Sequence, residues 1–190
     1  MDKAQLAAME KAPLGYAAKI RDKIETLLEA HYRETFEKWL ETERIVCTPY
    51  FRLRPSIHPA TYTDIYARSL YTAEDGDMNK LEQKLVVELT ALPNVRWWHR
   101  NIAKQDFAIN GFIKHYPDIL IMTKSGKLIC AETKGDHLKN DNSREKIALG
   151  QAWRTAAGKD FRYYMVFENE ENLLPGAVSM SQFIDTVKAL

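Results

Sequence analysis

Hydrophobic positions recur every three or four residues from residue 15 to residue 43. Ile20, Ile24, Leu27, Leu28, His31, Phe36, Trp39 and Leu40 fall on one stripe, which predicts a long amphipathic helix. The pattern breaks over residues 45–62. There Ile45-Val46-Cys47 and Tyr50-Phe51-Arg52-Leu53 are interrupted by Pro49, Pro55 and Pro59, which predicts short strand or loop. Helical spacing returns with Leu81, Leu85, Val86 and Leu89, capped by Asn79 or Asp77 and stopped near Pro93. Val95 to His99 then reads as a first strand. Phe107-Ala108-Ile109 reads as a hairpin arm turning at Asn110-Gly111, and Phe161 to Phe167 as a later strand. Asn142-Ser143-Arg144-Glu145 has the form of a capping box opening a helix to about Ala157, closed by Gly158, and Ser181 opens a last helix. The order helix, strands, helix, strand, helix predicts an α/β fold: a mixed β-sheet flanked by helices, behind an N-terminal helical extension.

The most informative stretch lies in the middle. His115-Tyr116-Pro117-Asp118-Ile119-Leu120-Ile121 and Leu128-Ile129-Cys130-Ala131-Glu132-Thr133-Lys134-Gly135 read as two apolar strands joined by Thr123 to Lys127, with Gly126 in the left-handed position. Alternation puts Glu132 and Lys134 on one face. A hairpin centred on Ser125 sets Asp118 opposite Glu132, so two carboxylates and an ammonium share a patch roughly 5 Å across the ladder. Ionised groups at a strand end cost several kcal/mol to bury unless paired or bound to metal. The geometry suits a divalent metal beside a water and a phosphodiester. An ordinary surface ion pair between Glu132 and Lys134 is the plainer alternative.

Composition narrows the class. Apolar residues make up 45% and charged residues 28% of 190, which suits a soluble globular chain with no membrane span and no signal-peptide pattern. Cys47 and Cys130 are far apart and in no metal spacing, so reduced thiols and a cytoplasmic setting are expected. The net charge is only +1, whereas an autonomous DNA binder usually carries a basic surplus. Local clusters could compensate: Arg52 with Arg54; Arg96, His99 and Arg100; and Lys139, Arg144 and Lys146. The acidic run Glu74-Asp75-Gly76-Asp77 reads as a surface turn at a helix entry, without the ligand series of a calcium loop. Trp97 and Trp98 read as core rather than as base-stacking platforms. Glu82 and Glu88 are the helix acids able to turn toward the charged hairpin end.

Pro117-Asp118 with Glu132-x-Lys134 resembles the PD-(D/E)xK nuclease signature. The wider text resembles the C-terminal endonuclease domain of the restriction subunit of type III restriction enzymes. The matching stretches are Ser69-Leu70-Tyr71, Met78 to Glu82, Trp98 to Asn101, Ile109 to Phe112, Glu132 to Asp136, Leu149-Gly150 with Trp153, and Tyr163 to Phe167. The resemblance covers roughly residues 69–190, which implies a restriction-endonuclease-like nuclease domain over 71–190 and a helical linker or docking region over 1–70. A phosphate-binding G-x-x-x-x-G-K-[ST] loop is missing, so no ATPase activity is expected from this chain.

The resemblance implies a Mg²⁺-dependent DNA endonuclease in which Mn²⁺ substitutes. Asp118, Glu132, the Thr133 carbonyl and Glu82 would hold the metal, and Lys134 would orient or deprotonate the attacking water. It further implies DNA or site contacts from Lys146 and Gln151, beside the basic residues Arg100, Lys139 and Arg144. The implied partners are double-stranded DNA, a helicase-like ATPase region and a methyltransferase subunit. A homodimer would let one site per chain cut both strands. Two other readings stay open: a non-catalytic docking module, and a nuclease acting on RNA or branched DNA.

Overall fold

The computed structural model describes residues 11–190. It divides into two units, the first ending at Val46 and the second running from Cys47 to Leu190. The first contains helix α1 (Pro13–Glu41), with Pro13 at its start, where the missing N–H costs nothing. None of its 29 residues is buried, although the amphipathic stripe expected from the spacing is present. Among the described residues, no helix is long and apolar enough to cross a membrane.

The second unit is a mixed α/β fold. Its elements are α2 (Lys80–Ala91), β1 (Val95–Arg100), β2 (Ile109–Asn110), β3 (Lys114–His115), β4 (Ile119–Thr123), β5 (Leu128–Lys134), α3 (Asp141–Ala157), β6 (Phe161–Phe167), β7 (Ala177–Ser179) and α4 (Met180–Lys188). Five strands form one sheet in the order β1-β4-β5-β6-β7, and β2 and β3 form a separate hairpin. The β1-β4 and β4-β5 pairs are antiparallel, whereas β5-β6 and β6-β7 are parallel. The parallel step from β5 to β6 needs a crossover, and α3 supplies it.

Capping explains where the helices begin. Asn79 accepts from the backbone N–H groups of Leu81 and Glu82, and Glu82 returns the bond to the Asn79 N–H. α3 starts earlier than the capping-box text suggested, because Asn140 rather than Asn142 is the cap, accepting from the Ser143 N–H. Likewise Ser179, with Gln182 three residues on, opens α4 in place of Ser181. Gly158 closes α3 with a φ of +93°. The Asn110-Gly111 turn falls slightly late, since Asn110 still pairs with Lys114.

Ile119, Ile121, Ile129 and Ala131 face α2 and α4, packing with Leu85, Leu89, Phe183 and Val187 in one buried cluster. Each such side chain contributes about 1.5–3 kcal/mol by leaving water. Trp98 is fully buried here, as expected of core. The opposite face carries α3, which approaches β6 so closely that Gly150 lies against the Tyr163 ring.

Residues 47–70 belong to this second unit rather than to α1. Arg68 and Leu70 exchange backbone hydrogen bonds with Trp98 along the free edge of β1, and the Trp98 indole N–H donates to the Ala67 carbonyl. The Arg68 guanidinium also ties the Thr90 and Val95 carbonyls together. That edge is therefore covered rather than open to another chain.

A methyl group at residue 150 would collide with the Tyr163 ring, which cannot withdraw because it is fully buried. Gly150→Ala should therefore cost about 1–3 kcal/mol and lower the melting temperature by several degrees in calorimetry.

Candidate active site

The hairpin has the register set by a turn centred on Ser125. Ile119 pairs with Ala131, Leu120 with Cys130 and Ile121 with Ile129, and Gly126 takes a φ of +83°. Asp118 stands one residue before β4, beyond the last ladder pair, where Pro117 leaves it outside the regular strand. Thr133 captures it: its backbone N–H donates to Asp118 Oδ2 at 2.7 Å and its hydroxyl to the same oxygen at 3.0 Å. The Asp118 carbonyl accepts from the Asn101 N–H and from Arg100 Nη1.

Glu132 is 1% exposed, near the end of β5. Its Oε1 accepts from Lys134 Nζ at 2.9 Å and from Lys146 Nζ, on α3, at 2.8 Å. Its Oε2 is buried and has no hydrogen-bond partner; His115 Nε2 is 3.9 Å away. Glu82 enters from the first turn of α2, where Arg100 Nη2 lies 3.3 Å from its Oε2. Arg100 Nη1 is 3.9 Å from Asp118 Oδ1. Three carboxylates and three cations thus meet where the hairpin end, α2 and α3 converge.

The titration of these groups records the crowding. Burial, then the Asp118 charge, pushes the Glu82 carboxyl up to about 7, against the pull of Arg100. Burial and the charge of Glu132 push Asp118 up to about 6. Burial alone would lower Lys134, but the charge and hydrogen bond of Glu132 outweigh it and its pKa rises. His115 is driven down to about 3 by burial and by the charges of Lys146 and Lys134, so it is neutral at physiological pH.

The expected residues divide accordingly. Asp118, Glu132, Thr133, Lys134 and Glu82 come together. Arg100, expected among the DNA-contacting basic residues, lies inside the same cluster, and Lys146, expected to contact either the site carboxylates or DNA, bonds Glu132 there. Lys139 bonds the Glu171 carbonyl and Asp136 and lies over the Phe167 ring. Arg144 forms an exposed pair with Asp141, and Gln151 reaches toward the Gly176 carbonyl. Glu88 is exposed.

Two features escaped the sequence. His115 and Tyr163 are joined by a 3.0 Å hydrogen bond beside Glu132, a pairing that only the parallel crossover from β5 to β6 creates. The second is a buried chain of charges. His99 Nδ1 is 2.7 Å from Glu74 Oε2, and His99 Nε2 is 3.3 Å from Asp106 Oδ2, which Arg54 also binds. Glu74 is therefore a core residue rather than part of a surface turn, and His99 is no surface cation. Hydrogen bonds to both acids overcome the burial that would lower His99, and its pKa rises. Glu74 also accepts from the Arg100 N–H, which steadies Arg100 behind the site.

Among the described residues, no three His, Cys, Asp or Glu side chains form a ready-made metal cage. The donors nonetheless fit a hard cation. Mg²⁺ binds through one or two carboxylates and keeps several waters. The partnerless Glu132 Oε2, with Asp118 Oδ1 across the hairpin, offers oxygen of that kind. No protein-family model, curated protein or solved structure matches this chain.

A carboxyl whose folded pKa is raised favours the folded state most below its unfolded pKa, and that advantage is lost as pH rises through the folded value. For Glu82 the window runs from 4.5 to about 7. His115 acts in the opposite sense, so the parent and a Glu82→Gln variant must be compared. In chelator, the melting temperature of the parent should fall relative to Glu82→Gln from about pH 4.5 to about pH 7. Parallel curves would contradict the placement of Glu82 beside Asp118.

Proposed function

We propose that residues 47–190 form a Mg²⁺-dependent DNA endonuclease domain, the cleavage module of a type III-like restriction system. The observation that carries this reading is Glu132 Oε2, a buried carboxylate oxygen with no donor, in a cluster that also contains Asp118 and Lys134. Leaving such an oxygen unpaired costs free energy, which a bound cation would recover.

In this reading Asp118 and Glu132 hold the metal, with the Thr133 carbonyl and Glu82 completing its surroundings. A bound Mg²⁺ supplies a water of lowered pKa and neutralises charge on the scissile phosphate. Thr133 fixes Asp118 by its Oδ2, so that Oδ1 is left to face a ligand. Lys134 and Lys146 share Glu132 Oε1, so Lys146 can hold that carboxylate in place while Lys134 turns toward the attacking water and the phosphate. His115 stays neutral and brings no positive charge to compete for Glu132 Oε2. Arg100 offsets the repulsion between Glu82 and Asp118.

The near-zero net charge suits delivery to double-stranded DNA by partners; the resemblance would make these a helicase-like ATPase region and a methyltransferase subunit. Of the five expected DNA contacts only Arg144 is exposed, paired with Asp141, and the proposed setting is the cytoplasm. One observation favours a non-catalytic docking module instead, since Glu132 Oε1 is already neutralised by two lysines.

Plasmid nicking at low salt in Mg²⁺ or Mn²⁺ separates the two. The parent should convert supercoiled plasmid to open circles, and Lys134→Ala should be slower by about 100-fold or more. Equal cutting by both would remove Lys134 from the chemistry. A parent that never nicks, alone or with its partners, would favour the docking module.

A further inference from the structure

Helix α1 spans about 44 Å, and none of its residues is buried. Its apolar residues Ile20, Ile24, Leu27, Leu28, Tyr32 and Trp39 are 43% to 57% exposed. Single helices in water are marginal, and most helical stability comes from covering an apolar face. Soluble monomers seldom leave a continuous apolar stripe of this length uncovered.

The charges on the helix indicate what covers it. The first half is basic, with Lys19, Arg21 and Lys23 against Asp22 and Glu25. The second half is acidic: Glu29, Glu34, Glu37 and Glu41 outnumber Arg33 and Lys38. The change of sign falls close to Leu27 and Leu28, at the middle of Pro13–Glu41.

We propose that α1 is a homodimerisation helix that pairs antiparallel with α1 of a second copy about a two-fold axis beside Leu27 and Leu28. In this arrangement Leu27 of one copy lies opposite Leu28 of the other and Ile24 lies opposite His31. Lys19 and Lys23 run alongside Glu34 and Glu37. A parallel pair would instead set acid against acid in the second half. The self-complementary patch is what a two-fold interface requires, and the helices would cross near the shallow angle of antiparallel bundles. The interface stands independently of whether the site in the second unit cuts DNA.

Sedimentation equilibrium of the full chain tests this. The parent should sediment at twice its 22.0 kDa mass and dissociate more readily as salt rises. Leu28→Glu should weaken association tenfold or more. Circular dichroism should show the second unit intact, because the residue is exposed in a unit of its own. Lys19→Glu with Lys23→Glu should also shift the chain to monomer. Adding Glu34→Lys and Glu37→Lys should restore the dimer, since the halves have then exchanged sign. A parent monomeric up to about 100 µM, where even weak specific association would register, overturns the proposal. So does a dimer indifferent to Leu28→Glu, or one broken by the lysine reversals and not restored by the glutamate reversals.

Discussion

Thr133 holds Asp118 by two hydrogen bonds to one carboxylate oxygen, and the charged end of the hairpin depends on that grip. Asp118 lies outside β4, so the ladder alone does not fix its side chain. With the Thr133 N–H and hydroxyl both directed at Oδ2, the carboxylate cannot swing to solvent, where its charge would be better hydrated. It is held instead across from Glu132, where burial and then the charge of Glu132 raise its pKa to about 6. Hydrogen bonds to the ionised form work against that rise without cancelling it.

The surrounding side chains answer this concentration of charge. Arg100 stands between Glu82 and Asp118, while Lys134 and Lys146 take one oxygen of Glu132. Arg100 is itself steadied by Glu74, which is bound to the buried His99. Buried ion pairs of this kind seldom stabilise a fold beyond what apolar packing would, because desolvation consumes much of the Coulombic gain. A cluster with that cost, ending in a carboxylate oxygen that no donor reaches, is better explained by what it can bind than by what it adds to stability.

Much of this arrangement was legible in the residues. The hairpin register followed from loop length, Gly126 and the alternation of Ile119, Ile121, Ile129 and Ala131, which are local signals. A cap at Asn79 or Asp77 was an equally local signal; Asn79 proves to be the cap, with Glu82 in the first turn of α2. What stayed hidden depends on residues far apart in the chain. Tyr163 meets His115 only because β6 runs parallel beside β5. Glu74 sits in an acidic run that reads as surface, and its burial becomes intelligible only once His99 and the Arg100 N–H are seen to satisfy it. The division after Val46 likewise rests on contacts of Arg68 and Ala67 with β1, which no composition shift announces.

The central claim is that Asp118 and Glu132 form a cation site, and titration calorimetry with Mg²⁺ and Mn²⁺ in buffers of different ionisation enthalpy tests it directly. The account predicts binding near pH 6 accompanied by proton release, because Asp118 and Glu82 titrate at about 6 and about 7. It also predicts that Asp118→Ala abolishes the binding. A parent that binds neither ion, or an Asp118→Ala chain that binds as the parent does, would contradict it.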